Sequence, residues 1–193
     1  MEKKLFIPVI LGTNRKGRQS EKVAKLIHGV MEKHPGIETE LIDVCDFSIP
    51  EDHYGNDMKD EYPEYRDTII RADGLVVVSP EYNHGYSGRL KSVMDLVLKP
   101  YIHKAVGLVG VSSGPWGGTR GVEALVPMVR ELGLIATFAD LYFPKVKDAF
   151  NQDGTPTDEG VYERIDGFLM QIHPVLCPLL QFALHPRSHP ASC

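Results

Sequence analysis

At 193 residues, 42% hydrophobic and a formal net charge of −5, the chain is sized for one domain with a real core and carries no basic face for nucleic acid. It has no Lys/Arg block and no apolar run near the about 18 residues a membrane helix needs. Its three cysteines, Cys45, Cys177 and Cys193, are odd in number and form no CxxC pair, which points to a reducing, cytoplasmic setting without structural disulfides or a zinc site.

Leu5 to Leu11 is an apolar run suited to a strand buried on both faces, although Pro8 within it cannot donate to a ladder. Gly12-Thr13-Asn14-Arg15-Lys16 is a poor cleavage region, so this start reads as a first strand rather than a leader peptide. Gly12 to Gln19 is a polar loop, and Ser20 is the candidate N-cap of a helix carrying Val23, Ile27, Val30 and Met31 on one side. That helix stops near His34-Pro35-Gly36. Ile37 to Asp43 partly alternates and reads as a second strand. Cys45 to Glu61 is a polar loop, and Tyr62 to Ala72 is a helix with Tyr65, Ile69 and Ile70 inward.

Leu75 to Val78 is a third strand, and it runs into Ser79-Pro80-Glu81-Tyr82-Asn83-His84-Gly85-Tyr86-Ser87-Gly88. A helix follows over Arg89 to Leu98. Ala105 to Val111 is a fourth strand, feeding a glycine-rich turn from Ser112 to Gly121. Val122 to Leu132 is a helix with Pro127 marking a late start or a kink. Ile135 to Phe143 is a fifth strand, Pro144 to Gly160 a loop, and Val161 to Ile172 a last helix broken by Pro174 and Pro178. Strand and helix alternate throughout, the pattern of a doubly wound α/β domain with a flavodoxin-like five-stranded parallel sheet in the order 2-1-3-4-5. Residues 1–184 form that single domain, and residues 185–193 a flexible tail.

In such a sheet a ligand sits over the loops after strands 1, 3 and 4. Here those are the three most unusual loops in the chain. The first offers hydroxyls, an Arg fork and a helix N-terminus, which suit a phosphate monoester. It is neither a Walker A nor a GxGxxG loop, so a nucleoside triphosphate or a dinucleotide pyrophosphate fits it less well. The second offers Tyr82 and Tyr86 as aromatic faces and Asn83 as an amide, suited to a flat heterocycle. The third, Ser112 to Gly118, is glycine-rich with the single Trp116.

These residues resemble the NAD(P)H-dependent FMN reductases of the flavodoxin-like superfamily, which include quinone, azo and chromate reductases. Gly12-Thr13-Asn14-Arg15 followed by Ser20 resembles that family's G-S/T-x-R-x-x-S-x-N/S phosphate loop. Pro80-Glu81-Tyr82-Asn83 followed by Gly88, Leu90, Lys91 and Asp95 resembles its P-E-Y-N…G-x-L-K-N-x-x-D segment, the most specific part of the match. Arg18 stands where the family often has Ser, and Ser92 where it often has Asn.

The resemblance implies bound FMN and NAD(P)H as co-substrate. It places Thr13, Arg15, Gln19 and Ser20 on the FMN phosphate, with Arg18 or Gln19 covering the departed contact. Pro80, Glu81, Tyr82 and Asn83 border the isoalloxazine, largely through backbone, and Ser113, Gly114 and Gly117 cover its pyrimidine side. His84, Tyr86 and Trp116 are candidates for substrate contacts. The implied activity is transfer of hydride or electrons from nicotinamide to flavin and on to a small acceptor, by a ping-pong scheme, in a homodimer or homotetramer. Two rivals stand beside it. Gly110-Val111-Ser112-Ser113-Gly114 fits GxSxG, which would make Ser112 a hydrolase nucleophile. A non-enzymatic flavodoxin-type electron carrier is the other. His185 and His189 lie beside prolines and make a poor metal pair.

Overall fold

The computed structural model of the protein describes residues 4–184. The expected tail, 185–193, lies outside the described residues. The elements run β1 Leu5–Phe6, β2 Val9–Leu11, α1 Ser20–Lys33, β3 Ile37–Glu38, β4 Leu41–Asp43, α2 Pro63–Arg71, β5 Gly74–Pro80, α3 Gly88–Met94, β6 Ala105–Val111, α4 Thr119–Glu131, β7 Ile135–Ala136, β8 Leu141–Phe143 and α5 Gly160–Leu184.

The sheet is parallel throughout. Its path is β4-β2-β5-β6-β7, with β8 also pairing β6 for six strands, and β1 pairs β3 separately. Five continuous strands were expected, and three of them are interrupted. Pro8 breaks the first, because it has no N–H for the ladder; its carbonyl still accepts from Val76 N–H at 3.0 Å. Thr39 and Glu40 separate β3 from β4, and residues 137–140 separate β7 from β8. The two uninterrupted strands, β5 and β6, are buried at all seven positions each, as strands covered on both faces must be.

Alternation along those strands divides the core into two layers. Ile10, Leu75, Val77, Val106 and Leu108 face one cluster, with α2, α3 and α4. Val9, Leu11, Val76, Val78 and Val109 face the other, with α1 and α5. Helices therefore cover both faces of the sheet. Gly107 marks where α5 comes closest: a Cβ there would run into the Phe168 ring.

Several local expectations change. Ser20 is the first residue of α1 rather than its cap, a place taken by Gln19 without a side-chain bond. Ile70 is 56% exposed, whereas Tyr65 and Ile69 are buried as expected. α3 stops at Met94, short of Leu98, and Asp95 closes it. α4 begins at Thr119 and passes through Pro127. α5 continues to Leu184 through Pro174 and Pro178, where a break was expected. The polar stretch Cys45 to Glu61 is not loop alone: it holds 3₁₀ turns at Val44–Asp46 and Gly55–Glu61. It is pinned by Arg89 donating to the Ile49 carbonyl at 3.0 Å and by Ser48 N–H donating to the Tyr62 hydroxyl at 2.8 Å.

Candidate functional site

The loops after β2, β5 and β6 meet at the carboxyl ends of the parallel strands and enclose a cleft of about 620 Å³. That lies within the range of about 300–1,000 Å³ typical of small-molecule sites.

The loop after β2 is held mainly by one side chain. Arg18 Nη1 donates to the Thr13 carbonyl at 2.6 Å, to Asp43 Oδ1 at 2.7 Å and to Cys45 Sγ at 2.7 Å. Its Nη2 pairs with Asp43 Oδ2. The hydrogen bonds to Asp43 hold the Arg18 guanidinium firmly charged, against the opposing effect of burial. Burial alone would raise Asp43; Arg18 and the Cys45 N–H outweigh it and keep the carboxyl below its usual range. Burial and the Asp43 carboxylate push the Cys45 thiol up, which makes it a poor nucleophile at neutral pH. Arg18 is thus committed to Asp43.

What that frame leaves free is Arg15, Gln19 and Ser20. All three line the cleft. Arg15 is exposed, and Gln19 turns its amide back to the Gly17 carbonyl at 3.2 Å. Ser20 is 2% exposed, and its hydroxyl has no partner. It stands at the N-terminus of α1, where the first N–H groups lack intrahelical acceptors. Thr13 is buried and sits behind this surface, its hydroxyl bonded to the Tyr82 hydroxyl at 2.9 Å. That bond ties the first loop to the second. A second tie is Ser87, which donates to the Gly12 carbonyl at 2.7 Å and accepts from Leu90 N–H at the start of α3.

The loop after β5 is held by its backbone. Glu81 N–H donates to the Val111 carbonyl at 3.0 Å, and Tyr82 and Gly85 exchange both of their hydrogen bonds. This tight turn puts Asn83 and His84 at φ of 49° and 67° on its tip. Neither lines the cleft, and Tyr86 faces a neighbouring groove. Pro80, Glu81 and Tyr82 do line it. The Glu81 side chain is 7% exposed; Oε1 accepts from Arg120 Nη2 at 2.6 Å, and Oε2 is buried without a partner. α4 comes this close because residue 121 is glycine, and a Cβ there would stand 3.2 Å from Glu81 Cα.

The loop after β6 brings Ser113, Gly114 and Trp116 to the cleft. Trp116 is 67% exposed at the rim. Gly117 lies behind the surface, and Gly118, at φ 92°, turns the chain into α4 with its Cα so near β6 that a Cβ would stand 2.5 Å from Val111 N. Ser112 donates to the Gly114 carbonyl at 3.0 Å inside its own turn. α4 begins only at Thr119, so this is not the immediate strand-to-helix turn of a nucleophile elbow.

Three lining residues escaped the sequence reading: Arg120, Val146 and Lys147. Lys147 follows β8 on the same end of the sheet, a position the strand-end rule could have suggested. Arg120 lies in the first turn of α4, and only the contact with Glu81 marks it out. Among the described residues there is no cluster of three metal-ligating side chains. None of the described helices is long and apolar enough to cross a membrane.

Known proteins share this arrangement. Over 208 aligned positions the chain is 26% identical to a probable NADPH:quinone oxidoreductase 2 of Oryza sativa subsp. japonica, covering 98% of this chain and 94% of that one. It is 33% identical over 120 positions to an NADPH azoreductase of Bacillus sp. strain OY1-2, covering 61% of this chain and 64% of the relative. Among solved structures, FerB, a flavoenzyme NAD(P)H:(acceptor) oxidoreductase from Paracoccus denitrificans, shares the fold with a TM-score of 0.74 at 22% identity, over 88% of this chain and 98% of that one. A family model described as NADPH-dependent FMN reductase matches residues 6–148, which span all three loops of the cleft, and the chain therefore belongs to that family of oxidoreductases.

Proposed function

We propose that the chain binds FMN in the cleft above β2, β5 and β6 and passes electrons from NAD(P)H to a small acceptor in a ping-pong cycle. The acceptor classes are quinones, azo compounds, metal oxyanions and free flavin. Bound FMN supplies the hydride and electron chemistry. The chain's residues supply position, charge and a partly dry surface.

The observation that carries this reading is Ser20. A buried hydroxyl without a partner is costly, and a helix N-terminus favours an anion. A phosphate monoester seated there satisfies the hydroxyl and the first N–H groups of α1 together. Arg15 and Lys147 line the same cleft, and neither is in an ion pair among the described residues. Thr13 backs the site through Tyr82, Gln19 caps the helix beneath it, and Arg15 adds the charge. The ring then lies along Pro80, Glu81, Tyr82 and Asn83, with Ser113, Gly114 and Gly117 at its pyrimidine side. Trp116, His84 and Tyr86 stand toward the opening as substrate contacts. Because each substrate must use the open side of the cleft, the nicotinamide leaves before the acceptor enters.

Three further parts belong to the same proposal. Residues 1–184 act as one flavodoxin-like domain wound in the order 2-1-3-4-5, counting β1 with β2, β3 with β4, and β7 with β8 as halves of interrupted strands. Matching registers support this: Leu5 pairs Ile37 and Val9 pairs Leu41, so the first two strands keep step across the break. The chain works as a homodimer or homotetramer. A groove of about 710 Å³ between α3 and α4, with Leu98 and Ile102 exposed beside it, supports that assembly.

The deciding experiment is titration of purified apoprotein with FMN, followed by addition of NADPH and a quinone. The expected results are flavin absorbance near about 370 and 450 nm that stays with the protein, and NADPH oxidation that follows parallel-line kinetics. Failure to take up FMN would overturn the proposal.

A further inference from the structure

The cleft contains a second buried group without a partner, and its chemistry differs from that of Ser20. Glu81 Oε2 is buried and unpaired while Oε1 is held by Arg120. The side chain is 7% exposed and lines the cleft. Its backbone is fixed twice over, by the Glu81 N–H bond to the Val111 carbonyl at 3.0 Å and by contact with Gly121. A buried carboxylate oxygen carries a large desolvation cost unless a donor meets it. Arg120 satisfies one oxygen and leaves the other as an acceptor aimed at a ligand N–H.

We propose that Glu81 Oε2 accepts the imide N–H of the flavin's pyrimidine ring, with Arg120 as the positioning residue that orients the carboxylate. This rests on the FMN reading above. The imide edge presents one N–H between two carbonyl oxygens. A carboxylate oxygen beside a guanidinium offers an acceptor next to a donor, which matches that edge. The Gly114 end of the third loop lies across the same cleft, where the pyrimidine side was placed. The main-chain N–H groups of Glu81 and Tyr82 are engaged within the protein. The specific contact from this loop is therefore a side-chain contact. The side chain that the sequence makes prominent reads the ring, and the backbone holds it in place.

The probe is 3-methyl-FMN, in which a methyl group replaces the imide hydrogen and the phosphate end is untouched. Apoprotein is titrated with FMN and with 3-methyl-FMN, and the ratio of the two dissociation constants is the readout. The wild-type protein is expected to prefer FMN by about tenfold to a hundredfold, the range for a hydrogen bond to a charged group. Glu81→Leu should bring the ratio to near one. Arg120→Met should reduce it while leaving the carboxylate in place, and Arg120→Lys should restore part of it. A purely structural Glu81 would leave the ratio unchanged in the variants. Equal binding of both flavins by the wild-type protein overturns the proposal without any variant having to fold. Binding of neither flavin instead overturns the FMN reading itself, so the two failures are distinct.

Discussion

The loops after β2 and β5 line the same cleft and are built in opposite ways. The first is held by a side chain: Arg18 reaches Thr13, Asp43 and Cys45, and the helix N-terminus and the Ser20 hydroxyl are left open. The second is held by its own backbone, through Glu81 to Val111 and the Tyr82–Gly85 turn, and a carboxylate oxygen is left open. Each loop frees the kind of group that its scaffold does not use. A side-chain frame exposes backbone donors suited to an anion, and a backbone frame exposes a side-chain acceptor suited to an N–H.

Removing the frame of the first loop should have the largest effect. Asp43→Ala leaves Arg18, whose side chain is 11% exposed, without its main partner. Stability should fall by about 2–4 kcal/mol, the range for stranding one member of a largely buried pair, and FMN affinity should fall with it. Thermal melts with and without FMN measure both. The pair also sets a pH response. The folded Asp43 carboxyl lies below its model value of 3.8, so its contribution is present above that pH and is lost as pH falls through the lower folded value. Acid titration of wild type against Asp43→Asn should diverge only in that acidic range; identical acid transitions would remove Asp43 from the frame.

Arg15→Ala should separate ligand contact from frame. Arg15 is exposed and lies in the cleft. Its loss should weaken FMN binding by about 1.5–3 kcal/mol while the melting temperature of the apoprotein holds. An unchanged FMN affinity would remove Arg15 from the phosphate site. Tyr82→Phe tests the bond that joins the two loops. Loss of the Thr13–Tyr82 hydroxyl contact should cost about 1 kcal/mol of stability, with a smaller change in affinity. A larger affinity loss than stability loss would make the Tyr82 hydroxyl a ligand contact instead of a tie.

The layers and the site's position were legible in the sequence for physical reasons. Unbroken apolar runs such as Leu75 to Val78 are the signature of strands covered on both faces, and the polar, glycine-bearing loops follow them directly. Arg15, Ser20 and Glu81 were named from residue type and motif. Less legible was which arginine stays free. Arg15 and Arg18 are three residues apart in one polar loop, and only the arrival of Asp43 from β4 distinguishes them. Arg120 and Lys147 were missed because their place in the cleft depends on how α4 and the segment after β8 pack, which no local pattern records. The prolines misled in another way. Pro127, Pro174 and Pro178 lie inside helices, where packing overrides the missing N–H.

The smallest effect should come from the tip of the second loop, and it bears on how that loop is framed. His84 holds φ at 67°, a left-handed conformation that costs a β-carbon-bearing residue about 1–2 kcal/mol, part of which glycine returns through its greater freedom when unfolded. His84→Gly should therefore raise stability by about 0.5 kcal/mol. It should leave FMN affinity unchanged, because residue 84 does not line the cleft. Turnover separates the remaining roles: a raised KM for acceptor at constant FMN affinity keeps His84 as a substrate contact, and an unchanged KM leaves it as a turn residue alone. A fall in FMN affinity would show that the backbone frame reaches beyond its own hydrogen bonds, and would weaken the contrast between the two loops.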